Sequence, residues 1–281
     1  MTAAFIPAFR RTLDQLGSSK LHLIPLIENA VRECAFPDPF TVTFEGYTAQ
    51  RAPDGWFHPS THPILDERQL YYYLTAPDTW AADPFDYGPR MSVLMGSATH
   101  SLFQHVMINI AVLVTPRGIS VCCLRPHGTG AGECDEWGVS DAALRRRGHM
   151  DGLLELPGWG CGEGIFDLKT CAPPVIRGVP HNDLVLFKKR WPKYWAQAQE
   201  YMALTGKQQV LVLFLAMSEG WDMREFTIPR DDAYIVSLEA KYRSVLNHVG
   251  AGVVPAVACC TGGAPARRCP AATCSVKIGL S

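Results

Sequence analysis

Apolar positions recur at helical spacing through residues 8–34, where Leu13, Leu16, Leu21, Ile24, Leu26 and Ile27 form a stripe, with breaks expected at Gly17 and Pro25. Residues 35–60 are rich in Pro, Gly and aromatics and read as loops with one short strand at 40–44. Residues 65–74 form a second helical pattern that stops before Pro77, and 91–113 form a third, long and apolar, with few breakers after Gly96. A β-rich run at 118–124 predicts a strand, and a Gly-rich loop follows at 127–132. Two further strands are expected at 144–156 and 164–170, joined by the reversing segment PGWGCGEG. Residues 172–190 read as loop. A helix is expected at 192–204, with Pro192 in its first turn and Gly206 beyond its end. The apolar run 208–217 predicts a buried strand, and 231–249 a last helix with Asp231 at its start. This order implies an α/β fold with a central mixed β-sheet flanked by helices. No internal repeat is visible. Three regions follow: a helical and loop extension at 1–57, a main domain at 58–249 and a Cys-rich tail at 250–281.

Composition narrows the class. The 281 residues fit one large domain with appendages, and 47% hydrophobic with 19% charged residues is ordinary for a protein with a real core. No uncharged apolar stretch reaches the roughly 18 residues that a membrane span requires. The N-terminus does not read as a secretory signal, so a cytoplasmic location is expected and no membrane partner. A net charge of −1 excludes a strongly basic nucleic-acid binder. Local basic clusters remain: Arg145, Arg146 and Arg147; Lys188, Lys189, Arg190 and Lys193; Arg267 and Arg268. Each reads either as a solvated face or as a set of phosphate contacts.

The chemistry centres on FDLKT, residues 166–170. Side chains alternate along a strand, so Asp167 and Lys169 share one face while Phe166 and Leu168 enter the core. A lone carboxylate–ammonium pair of this kind is commonly structural. Asp151 lies on the preceding expected strand, with 15 residues between it and Asp167. If the two strands form a hairpin, the carboxylates stand side by side and repel unless a cation joins them. A hard divalent ion with oxygen ligands suits that arrangement, and could activate water and stabilise charge on a phosphate.

Asp151 followed by Asp167-Leu168-Lys169 resembles the PD-(D/E)XK nuclease signature. Three further features resemble its RecB-like exonuclease branch, which includes phage recombination nucleases and CRISPR-associated relatives. Gly96 to His100 looks like that branch's G-x-x-x-H motif. Gln197 and Tyr201 look like its Q-x-x-x-Y motif, four residues apart on one helix face. The motifs run in the family's order, and residues 58–74 resemble its opening helix. The resemblance covers residues 58–217. It implies a restriction-endonuclease-like core and a Mg²⁺- or Mn²⁺-dependent deoxyribonuclease, an exonuclease acting in recombination or end processing. His100, Asp151, Asp167 and the Leu168 carbonyl would bind the metal. Lys169 would position water, and Gln197 and Tyr201 would brace the site. DNA is the implied partner, contacted also by Arg147, Lys188, Lys189 and Arg190, with a recombination or replication protein as a further one. Two departures stand out: Gln104 replaces an acidic residue four after the motif histidine, and Asp167 replaces the commoner glutamate. A nuclease fold without turnover, serving as a DNA-binding or partner adaptor, is the alternative; a hydrolase acting on RNA or nucleotides is a third.

The chain holds ten cysteines, four of them in its last 23 residues. Many relatives of this branch carry an iron–sulfur cluster on thiolates; here the resemblance implies Cys34, Cys260, Cys269 and Cys274 as the set for a [4Fe-4S] cluster. Zinc held by Cys259, Cys260, Cys269 and Cys274 is an alternative, with adjacent cysteines awkward for tetrahedral closure. Free thiols are the third reading. A cluster predicts a brown protein absorbing in the visible; a colourless protein purified without oxygen overturns it.

Overall fold

The computed structural model describes residues 21–32, 53–80, 87–109, 113–114, 137–154, 164–217 and 222–256. The strands expected at 40–44 and 118–124, the loop at 127–132 and all four cysteines of the proposed cluster lie outside the described residues.

The central sheet is built on two apolar strands, β5 (Gly164–Cys171) and β6 (Gln209–Ala216), paired in parallel from Ile165 opposite Val210 to Cys171 opposite Ala216. Parallel neighbours need a crossover. It is supplied by three helices: α4 (Pro173–Ile176), α5 (Leu184–Arg190) and α6 (Pro192–Thr205). Two of these fall in the segment 172–190 expected to be loop; Asp183 caps α5 by accepting from the Leu186 amide at 2.9 Å. Flanking strands complete the order β1 (Leu113–Val114), β4 (Gly152–Leu154), β5, β6, β7 (Met223–Pro229). All pairings other than β5–β6 are antiparallel.

β5 and β6 are buried on both faces. Phe166, Leu168, Leu211, Leu213 and Leu215 meet α1 (Ile24–Arg32) and α3 (Tyr87–Asn109). Ile165, Val210, Val212 and Phe214 meet α4, α5 and α6 on the other side. Each large apolar side chain removed from water there contributes about 1.5–3 kcal/mol. A third cluster joins α2 (Glu67–Thr75) to α7 (Asp232–Ala251) around Phe57, which stacks on Tyr242 at 4.5 Å.

Three sequence expectations change. The run 144–156 is two strands: β3 (Arg146–Met150) pairs with β2 (Trp137–Asp141) in a separate hairpin, and β4 enters the main sheet. The long helix starts four residues earlier than expected and ends at Asn109, where β1 follows after a short gap. Pro25 does not break α1 but sits in its first turn, where its missing N–H has no intrahelical partner to lose.

The sequence pattern does not announce β7, since MREFTIP carries too many polar residues for a buried strand. Its Glu225 is fully buried and caps α1 from across the sheet: His22 N donates to Oε1 at 2.7 Å, and Leu23 N and Ile24 N donate to Oε2 at 2.9 and 3.0 Å. A carboxylate at a helix start satisfies orphan amides and favours the positive helix end. α1, from the region read as an extension, is thereby fixed into the main core. Replacing Glu225 with Ala should cost about 2–4 kcal/mol in urea unfolding, because two buried amides and one half-buried amide lose their acceptor; an unchanged midpoint would contradict this role.

Candidate active site

β4 is three residues long and covers only Gly164–Phe166 of β5. The rest of that edge, from Asp167 onward, borders a cavity of about 860 Å³. β4 pairs Gly152 with Phe166, so continuing the register by one residue sets Asp151 opposite Asp167. Asp151 is thus the joint between the small hairpin and the main sheet. Its Oδ2 accepts from the Leu168 amide at 2.7 Å and lies 2.8 Å from His100 Nε2. The edge amide of β5, left without a strand partner there, bonds the carboxylate.

Asp167 and Lys169 project together as the alternation predicts, with Lys169 Nζ 2.9 Å from both Asp167 oxygens. The Tyr194 ring, on the first turn of α6, lies 4.9 Å from the same ammonium. The motif helix α3 approaches β5 closely because residue 96 is glycine: a Cβ there would stand 2.8 Å from Thr170 Oγ1. Gln104, the departure from the family pattern, is buried and donates to the Asp151 backbone carbonyl at 2.9 Å. It holds the joint through the main chain where an acidic residue was expected.

Gln197 and Tyr201 line the cavity from α6. Tyr201 donates its hydroxyl proton to the His149 carbonyl at 2.6 Å, fixing β3 two residues before Asp151. Gly148 makes room for this contact, since a Cβ would come within 2.9 Å of Pro59 and 3.2 Å of the Tyr201 ring. The opposite wall comes from 58–62, Tyr73 and Trp80. Tyr73 is buried and also lines the cavity. The sequence offered little sign of this wall beyond the resemblance of 58–74 to an opening helix.

Electrostatics separates the two acids. Burial pushes the Asp167 carboxyl up to about 6, with Lys169 pulling against it and Asp151 adding to it. Burial also opposes the charge on Asp151, yet His100, Lys169 and the Leu168 amide hold it below the usual carboxylate range. Burial likewise opposes the Lys169 charge, but Asp167 and Asp151 raise it above the usual lysine value. Paired groups driven apart in this way are a mark of functional sites.

The donor chemistry, two carboxylates and an imidazole in one cavity, fits a hard divalent cation with open positions for water. The expected ligand set is not closed as it stands. Asp167 gives both oxygens to Lys169, and among the described residues no three of His, Cys, Asp or Glu stand together as a metal site. The Leu168 contact made to the acids is through its amide rather than its carbonyl.

The expected DNA contacts stand outside the cavity wall. Arg147 pairs with Asp54 at 2.6 Å and lies over Trp56 at 5.3 Å. Lys188 lies 4.6 Å from the Trp195 ring and 3.8 Å from Asp231, and Lys189 and Arg190 are exposed on the last turn of α5. No described helix is long and apolar enough to cross a membrane.

No protein-family model matches the sequence, and no curated protein does. Solved structures with similarity include an alkaline exonuclease from Laribacter hongkongensis, at 17% identity over 72% of this chain and 91% of that one, with a TM-score of 0.46. The same enzyme in complex with dAMP gives 18% identity over the same shares and a TM-score of 0.44. The protein SSO0001 gives 12% identity over 89% of this chain and 95% of that one, with a TM-score of 0.40.

One residue before Tyr201, Glu200 is fully buried behind the site. Its oxygens, Arg146 Nη1 at 3.7 Å and the Tyr242 hydroxyl make no hydrogen bond among the described residues. Burial pushes the Glu200 carboxyl up to about 7, with Arg146 and Lys241 pulling against it. The folded state therefore binds this proton more tightly than the unfolded state. Stability from this group is full below about 4.5 and is lost as pH rises through about 7. Glu200→Gln should gain stability over wild type as pH goes from 5 to 8, read as a widening gap in Tm; a gap that narrows would overturn the assignment.

Proposed function

We propose that this chain is a Mg²⁺- or Mn²⁺-dependent deoxyribonuclease of the RecB-like branch of PD-(D/E)XK nucleases, an exonuclease acting on DNA ends in recombination or end processing. The observation that carries the reading is that His100, Asp151, Asp167, Lys169, Gln197 and Tyr201, from three motifs spread over a hundred residues, line one cavity. A dispersed set of this composition has a low chance of converging for packing alone, because it buries two like charges together.

His100, Asp151 and Asp167 would hold the metal, Asp167 releasing an oxygen from Lys169 to do so. The bound ion would supply Lewis-acid stabilisation of the phosphate and a more acidic water. Lys169, kept charged by the two acids, orients the nucleophilic water or neutralises a phosphate oxygen. Gln104 and Tyr201 hold the backbone on either side of Asp151, and Gln197 faces the strand. Arg147, Lys188, Lys189 and Arg190 would serve as outer phosphate contacts, and a recombination or replication protein as a partner. The pairing of Asp167 with the Lys169 ammonium favours one other reading, an adaptor of the same fold that binds DNA without cleaving it.

End-labelled linear DNA and closed circular DNA, each with Mg²⁺ or Mn²⁺, decide between the two. Wild type should degrade the linear form and spare the circle. Asp151→Ala, Asp167→Ala and Lys169→Ala should each lose roughly 10²–10³-fold or more in rate. Equal cleavage by wild type and Asp167→Ala would refute the assignment, and metal-independent binding without cleavage would establish the adaptor.

A further inference from the structure

The motif face of α6 extends beyond its two motif residues. Positions four apart on a helix share a face, and Lys193, Gln197 and Tyr201 form such a row. Gln197 and Tyr201 line the cavity. Lys193 stands one turn before them, in the first turn of the helix, next to the Tyr194 ring that contacts Lys169. The start of α6 is therefore set against the Lys169 ammonium.

This corner is rich in positive charge. The Lys193 side chain is exposed, and no carboxylate among the described residues pairs with it. The 14-residue helix has no acidic residue in its first turn, and its N-cap, Trp191, supplies no side-chain acceptor. Its start thus keeps the positive end of the helix dipole. Partial desolvation and the nearby Lys169 charge hold Lys193 below the usual lysine range. Two ammonium groups and a helix start at one corner repel each other in the free protein, and an anion between them relieves that repulsion. Among the described residues, the two acids of the site are already engaged, Asp167 by Lys169 and Asp151 by His100 and the Leu168 amide.

We propose that Lys193 is a positioning residue that grips a backbone phosphate of the DNA strand at the α6 side of the cleft, beside the phosphate at Lys169. The proposal rests on the nuclease reading and adds a contact to it. Lys193 sets where the strand lies; Lys169 acts at the reacting group.

The test is the salt dependence of DNA binding by the full chain in EDTA, with fluorescein-labelled single-stranded and duplex oligonucleotides of several sequences. A lysine that neutralises one phosphate adds about 0.7 to the slope of log K against log salt for single strands and about 0.9 for duplex. Lys193→Gln and Lys193→Met should each weaken binding to a similar degree on every sequence and lower the slope by about 0.7 on single strands and about 0.9 on duplex. Lys193→Arg should restore both. In cleavage assays the neutral variants should raise KM by more than they lower kcat. Thermal melts identical to wild type would show that the effect is not one of folding. If both neutral variants bind with wild-type affinity and slope, the proposal is overturned while the nuclease reading stands. If the wild-type protein itself neither binds nor cleaves DNA, the nuclease reading fails, and Lys193 with it.

Discussion

The Leu168 amide hydrogen bond to the Asp151 carboxylate holds the candidate site together. It closes the gap left where β4 ends and Asp151 begins, using an edge donor of β5 that has no strand to bond. A sheet edge normally offers such donors to water or to another strand. Here the edge is turned inward and the donor fixes an acid. With Asp151 set by β5, the neighbouring Asp167 and Lys169 follow from strand alternation alone.

Around that bond, each motif residue has a mechanical as well as a chemical role. Gly96 brings α3 against β5, which delivers His100 to Asp151. Gln104, one turn after His100 on the same helix, holds the Asp151 carbonyl. Tyr201 holds the His149 carbonyl from the other side. The backbone on which Asp151 sits is thus pinned from two helices belonging to opposite faces of the sheet. A carboxylate whose charge is opposed by burial needs such rigid support, since a small displacement would cost it the hydrogen bonds that keep it ionised.

Much of this is legible in the amino-acid sequence. The FDLKT run showed that Asp167 and Lys169 share a face, because period-two alternation survives in a strand buried on both sides. The row Gln197 and Tyr201 was legible from helix spacing, and the α/β order from the alternation of apolar runs. The break at Asp151 was not: the Asp151-Gly152 dipeptide stands at the joint, but the residues on both sides of it read as one strand. β7 was not, because its buried Glu225 looks like a surface residue until the amides of α1 are brought to it. The short helices α4 and α5 escaped because Pro173, Pro174, Gly178, Pro180 and Asn182 cut the segment into pieces too short to show a helical period. The outer wall at 58–62 and Trp80 was not readable either, since its residues meet the cavity through long-range packing that leaves no period in the sequence.

Gly148 carries one more implication. At that residue β3, the 58–62 segment and α6 come together with no space for one methyl group. Interlocked parts of that kind cannot slide past one another. In any opening or closing of the cavity this corner must travel as a single block, and the tyrosine it carries travels with it.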